Sequence, residues 1–246
     1  MIKGEEAMKS RYKLSLAILA LMLLFPLPSS GEDNTQLKSE KMTPRERLET
    51  YLTLGEIYQK QKYPQKAITA YQKALKLDNR DPDIYKSLGK LYSEIKQFGN
   101  AAEIYQKALN LSPDDEMLTQ SLAEAYRDSG NYDRAIELYK KLLNSPSNHY
   151  PRRFVFYGMI KTYQQAGKIN ELKNDTRKQI KEDPKNLDWY LLLGSIYQRE
   201  NNWEKSIATY RQALEIDPDN ENILSPLALA CNMRDMYPEA AKYYER

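Results

Sequence analysis

One arrangement of residues recurs every 34 positions and limits what this chain can fold into. The clearest copy runs from Asp81 to Ser112, DPDIYKSLGKLYSEIKQFGNAAEIYQKALNLS. With Pro82 as place one, Tyr85, Leu88, Gly89 and Tyr92 occupy places four, seven, eight and eleven. Ala101, Tyr105 and Ala108 occupy places twenty, twenty-four and twenty-seven. A step of 34 back meets Tyr51, Leu54, Gly55, Tyr58, Ala67, Tyr71 and Ala74. A step of 34 forward meets Leu122, Ala123, Tyr126, Ala135, Tyr139 and Leu142. After a step of 37 come Phe156, Met159 and Tyr163; a further 34 brings Tyr190, Leu193, Gly194, Tyr197, Tyr210 and Ala213. The last step reaches Leu224, Leu227, Ala228, Ala240 and Tyr244. A fixed period of this size marks a stack of equivalent units, each too small to bury its own apolar face.

Places four, seven, eight and eleven form one apolar stripe on a helix, and the later places form a stripe on a second. Small residues at places eight and twenty let the two helices approach, and Tyr and Leu fill the space between pairs. These residues resemble the tetratricopeptide repeat family over roughly 200 residues. The resemblance implies an all-α, right-handed superhelical solenoid of antiparallel helix pairs. It also implies a concave groove for a partner's peptide or helix.

The expected units are 48–81, 82–115, 116–149, a degenerate 153–186, 187–220 and a truncated 221–246, within a solenoid spanning 44–246. In the degenerate unit, Ile160 and Leu172 fill the two small places, and Thr176 and Gln179 replace the aromatic and the alanine. Bulk at a close contact predicts a spread or rotated pair there. In the truncated unit the second helix is expected from about Pro238 to Arg246. It should fray and leave part of Tyr243 and Tyr244 exposed.

Thr43-Pro44-Arg45-Glu46 reads as a capping box opening the first helix. Asp81-Pro82, Ser112-Pro113, Asp183-Pro184 and Asp217-Pro218 read as caps of later ones. Ahead of these, residues 32–43 read as a polar linker, and residues 1–31 as a signal peptide or membrane anchor. Lys9, Arg11 and Lys13 precede an apolar run from Leu14 to Phe25, with Pro26, Pro28 and small residues after it. The run is short for a spanning helix. The expectation is an exported protein, periplasmic or extracellular. If the segment stays uncut, residues 14–28 hold the chain to a membrane, facing outward. Glu5 and Glu6 sit oddly in such a leader, and Met8 would give a cleaner start.

Of 37 Lys+Arg and 34 Asp+Glu, the first 31 residues hold four and two, so the remainder carries +1. That balance argues against a general nucleic-acid binder. A single cysteine, Cys231 at place eleven, excludes an intramolecular disulfide and any cysteine-based zinc site. The lone histidine, His149, lies in a junction with no nearby cysteine. There is no Gly-rich phosphate loop, and no cofactor or metal is expected. The chain does not read as an enzyme.

The groove should be lined at places two, five, nine and twelve of each first helix. In the fourth unit these are Phe154, Tyr157, Lys161 and Gln164; in the fifth, Asp188, Leu191, Ser195 and Gln198. Lys86, Lys90 and Arg127 take equivalent places in earlier units. Chaperone-binding members of the family hold a C-terminal carboxylate with a Lys/Asn/Lys/Arg set. Place nine holds Glu56 and Lys90 here and no asparagine, so that set is not matched. The best partner-binding candidate surrounds Phe154 and Tyr157 with Arg152, Arg153 and Lys161, an aromatic pair beside cations. The expected function is a non-catalytic scaffold that holds a partner protein's peptide or helix in an exported or envelope complex. The alternative is a structural subunit that self-associates through its C-terminal end.

Overall fold

A computed structural model describes residues 42–145 and 151–246. Twelve α-helices and no strands occur among the described residues. They are α1 (Pro44–Lys60), α2 (Pro64–Leu77), α3 (Pro82–Glu94), α4 (Phe98–Leu111), α5 (Glu116–Asp128), α6 (Tyr132–Leu143), α7 (Arg152–Gln165), α8 (Ile169–Glu182), α9 (Leu187–Arg199), α10 (Trp203–Ile216), α11 (Glu221–Asn232) and α12 (Tyr237–Tyr244). The repeat period is thus realised as consecutive helix pairs. The apolar run 14–25 and His149 lie outside the described residues, and no described helix is long and apolar enough to cross a membrane.

The described residues divide into two compact units, the first ending at Leu118 and the second beginning at Thr119. In the first, α1 packs on α2, α2 on α3, and α3 on α4. Its core joins Ala67, Ile68, Tyr71 and Ala74 of α2 to Ile84, Leu88 and Leu91 of α3. In the second unit one cluster gathers Tyr139, Phe156, Met159, Tyr163, Leu172, Leu192 and Ile196. Another gathers Tyr190, Ile207, Tyr210, Ile223, Leu227 and Cys231. Each large apolar side chain so buried contributes about 1.5–3 kcal/mol.

The place-eight glycines receive a ring. A Cβ on Gly55 would lie 2.7 Å from the Tyr71 ring, and one on Gly89 would lie 2.6 Å from Tyr105; Gly194 faces Tyr210 in the same way. In these three units the tyrosine of place twenty-four therefore reaches into its own pair, against the glycine of place eight. The same rings also pack between pairs, as expected: Tyr71 clusters with Ile84 and Leu88 of α3, and Tyr210 with Ile223 and Leu227 of α11.

Every pair turns by the same device. Place fifteen has a left-handed backbone in all six units: Lys62 (φ 60°), Lys96 (61°), Gly130 (84°), Gly167 (70°), Asn201 (57°) and Asp235 (58°). The following amide donates to the carbonyl of place eleven, as in Tyr63 to Tyr58 (2.8 Å) and Met236 to Cys231 (3.0 Å). The place-fifteen amide donates to place twelve, as in Lys62 to Gln59 (3.0 Å). This paired closure satisfies the last carbonyls of each first helix.

The first helix begins as expected. Thr43 and Glu46 form a reciprocal capping box ahead of Pro44, and Asp81 accepts from the Asp83 amide. The later Pro junctions differ. Asp183-Pro184 and Asp217-Pro218 form turns closed by the Asn186 and Asn220 amides on the Asp carbonyls (3.3 and 3.4 Å). Asn186 and Asn220 then cap α9 and α11. Proline in these two junctions sits at the second position of a turn, where its fixed φ fits, so the cap falls three residues later.

The fourth pair is spread. The α7–α8 contact is far shorter than that of α1–α2, α3–α4, α9–α10 or α11–α12. Ile160 and Leu172 are both buried at positions that small residues (Gly, Ala or Ser) take in the other units. At the C-terminus the expected fraying is not observed. Ala240 is buried, Tyr243 packs on the core, and Arg246 bonds Asp219 (2.8 Å) and the Pro218 carbonyl. Tyr244 does stay exposed.

Candidate partner-binding groove

Three first helices of the second unit, α7, α9 and α11, line an open groove of about 1230 Å³. The floor is apolar where Phe156, Ile160, Leu191 and Pro226 reach it. Ser195, Gln198, Asn222 and Ser225 add polar groups. The fifth-unit residues expected on the groove, Asp188, Leu191, Ser195 and Gln198, all line it. Tyr157 lines it from the fourth unit, and it is 53% exposed.

A polar chain stiffens the floor. The buried Tyr210 hydroxyl lies 3.3 Å from Ser195 Oγ and 3.4 Å from Gln198 Oε1. Gln198 Nε2 in turn donates to the Pro226 carbonyl (2.8 Å). Burial pushes the Tyr210 hydroxyl up to about 12, so it stays a neutral donor through the physiological range. Pro226 lies inside α11. Having no N–H, it leaves the Asn222 carbonyl without its helical amide, and both residues line the groove.

The cations do different things. Arg152 reaches the Leu142 and Ser145 carbonyls (3.3 Å each) and the Leu143 carbonyl, and it pairs with Asp188 at 3.5 Å. It therefore clamps the C-terminal end of α6, where a cation suits the helix dipole. Burial pushes the Asp188 carboxyl up, against the pull of Arg152. The Arg153 guanidinium sits 5.0 Å from the Phe154 ring centroid. Arg199 sits 4.4 Å from the Tyr157 centroid. A hydrogen bond from Arg199, its charge and that of Lys161 hold the Tyr157 phenol below its usual range. Phe154 is exposed beside the groove, and Lys161 lies one turn beyond Tyr157.

Other expected contacts lie elsewhere. Arg127 is a correction: it is buried, bonded to both Asp128 oxygens (2.8 and 3.0 Å), with Nη1 3.4 Å from the Tyr139 hydroxyl. Lys86 belongs to the first unit and is held by Asp83 and Asp115 at 3.0 Å each. Lys90 lines a shallow depression there with Glu56, Gln59 and Glu94. Arg199 was not expected. It occupies place thirteen, one residue past the stripe, and only the closeness of α7 to α9 brings it onto Tyr157. Among the described residues, no cluster of His, Cys, Asp and Glu could hold a metal ion.

Family models match along the chain. A TPR repeat model matches residues 56–96 and 194–231, a tetratricopeptide repeat model matches 82–115, and a model described as YpiA-like, tetratricopeptide repeats matches 106–146. No curated protein matches. Among solved structures, the chain is similar to pilF of Pseudomonas aeruginosa, at 19% identity over 81% of this chain and 90% of that one, with a TM-score of 0.47. It is similar to MamA, residues 41 to the end, from Desulfovibrio magneticus RS-1 (16% identity, 81% and 92% covered, TM-score 0.38). It is also similar to YrrB, described as a TPR protein with an unusual peptide-binding site (15%, 73% and 91%, TM-score 0.40).

Proposed function

This chain belongs to the tetratricopeptide repeat family, and we propose that it is a non-catalytic scaffold holding a peptide or helix of a partner protein in the α7–α9–α11 groove. One observation carries the reading. The groove joins an apolar floor to an exposed Tyr157 that Arg199 holds in place. Aromatic and arginine side chains in such settings are common binding hot spots. The floor is pinned by the Ser195–Tyr210–Gln198–Pro226 chain, so little ordering is needed on binding.

The scaffold works outside the cytoplasm, in an exported or envelope complex. The basic and then apolar pattern of residues 9–25 supports that placement. N-terminal sequencing of the mature protein tests it: a chain that still begins at Met1 or Met8 and fractionates with the cytoplasm would refute it. For the groove, a displayed peptide library panned against the full chain should yield binders that Tyr157→Ala weakens at least tenfold, with helical content unchanged. Binders indifferent to Tyr157→Ala would remove this site.

A second reading is self-association. Tyr237, Ala241 and Tyr244 form an exposed stripe along α12 at i, i+4 and i+7. Sedimentation at rising concentration separates the two readings. A constant monomer would end the second one.

A further inference from the structure

Arg153, Tyr157 and Lys161 follow one another every four residues on one face of α7. Arg199 of α9 covers the middle residue. Neither Arg153, Arg199 nor Lys161 has a carboxylate partner among the described residues, whereas the groove's other arginine, Arg152, is taken by three carbonyls and Asp188. The α7–α9 wall thus carries three cations with no counter-charge. Across the groove, α11 contributes Glu221 together with neutral Asn222, Ser225 and Pro226. The field runs from positive to weakly negative across the occupant.

We infer that the occupant is an extended acidic segment of a partner protein, with two carboxylates four residues apart and an apolar side chain between them. The inference rests on the groove being the docking surface and adds what fills it. Arg153 and Lys161 are eight helical residues apart, about 12 Å. An extended chain rises about 3.3 Å per residue, so four residues cover that span and return to the same face. The residue midway also faces the wall, against Tyr157 and Leu191. Each carboxylate meets a cation by a charge-assisted hydrogen bond. The carbonyl of Asn222, left without its helical amide by Pro226, suits a main-chain N–H. An extended segment has such N–H groups to offer, and a helix has already used its own. Glu221 repels acid from the opposite wall and fixes which way the segment faces.

The test is an array of end-blocked peptides of the pattern Glu-x-apolar-x-Glu, with matched Gln and Lys counterparts, probed with the full chain by fluorescence anisotropy. The Glu set should bind at least tenfold more tightly than the Gln set. Binding should weaken at least fivefold between 50 and 500 mM salt. Arg153→Ala and Arg199→Ala should each lose most of the preference. Arg199→Glu should shift preference toward the Lys set; if that variant melts early, Lys161→Glu makes the same reversal.

Equal binding of the Glu and Gln sets would overturn the inference. If a neutral peptide binds and Tyr157→Ala removes it, the groove stands and the acidic occupant falls. If no peptide of any charge binds, both fall. A helical peptide with carboxylates eight apart that binds more tightly than the extended set would also overturn it. So would a concentration-dependent dimer that Arg199→Glu dissolves, because a second copy would then be the occupant.

Discussion

The ring of Tyr139 lies on Gly158, so close that a Cβ there would stand 2.5 Å from its Cε1. The first, second and fifth units pair the place-twenty-four ring with the glycine of their own place eight. Here the ring comes from α6 and the glycine from α7, the next pair, at place six. Ala123 holds place eight of the third unit, and Tyr139 has crossed the junction to the helix that lines the groove. Substituting Gly158→Leu should destabilise the chain by about 1–3 kcal/mol through overpacking. Combining it with Tyr139→Ala should be markedly less than additive, since one vacates the space the other fills. Urea denaturation of the two single variants and the double variant measures this; strict additivity would disprove the contact.

Lys96 holds a left-handed backbone at place fifteen, where Gly130 and Gly167 stand in other units. A non-glycine residue there costs about 1–2 kcal/mol, and glycine gives part of that back as freedom of the unfolded chain. Lys96→Gly should therefore stabilise the first unit by about 0.5–1 kcal/mol, read as a higher denaturation midpoint. Gly130→Val should do the reverse in its own turn.

Tyr157 should ionise below the ordinary tyrosine range, because Arg199 and Lys161 favour the phenolate. Titration of ring-labelled tyrosine by NMR reads each phenol separately. Arg199→Ala should move this one resonance toward an ordinary midpoint and leave the rest in place. The sign for folding follows from the direction. A phenol lowered in the folded state makes stability rise as pH climbs from that lowered value to the unfolded one. The exposure of Tyr157 keeps that rise small.

Pro226 interrupts α11 in its interior, a place where proline costs about 3 kcal/mol. Pro226→Ala restores the missing amide and should raise stability by up to about that amount. It also removes the free carbonyl of Asn222, so affinity for a groove peptide should fall. A variant that melts higher and binds less well is the expected pair of results; higher stability with unchanged affinity would mean the carbonyl is not used.

Much of this was readable beforehand because a fixed period constrains many residues together. Tyr85, Leu88 and their counterparts define helix faces, and the same count placed Leu191, Ser195 and Gln198 on the groove. What lay outside the count was misread. Arg127 fell on an expected groove place, but its neighbour Asp128 and the ring of Tyr139 draw it inward. Arg199 stood one place beyond the stripe and reaches the groove only through the approach of two helices distant in sequence. The caps at Asn186 and Asn220 were hidden behind Asp-Pro pairs, because the same dipeptide opens either a helix or a turn. The sequence shows which places face inward; which long side chain bends toward which neighbour depends on distances that spacing does not contain.

The six left-handed residues at place fifteen are Lys, Lys, Gly, Gly, Asn and Asp, yet each closes the same two hydrogen bonds. The six repeats share a dihedral angle there and differ in the residue that adopts it. Length is therefore inelastic at that bend, while the three surplus residues fall between pairs, ahead of the fourth unit. Anyone wishing to splice a tag, a cleavage site or a whole extra hairpin into this chain should cut at such a seam, and never at the bend.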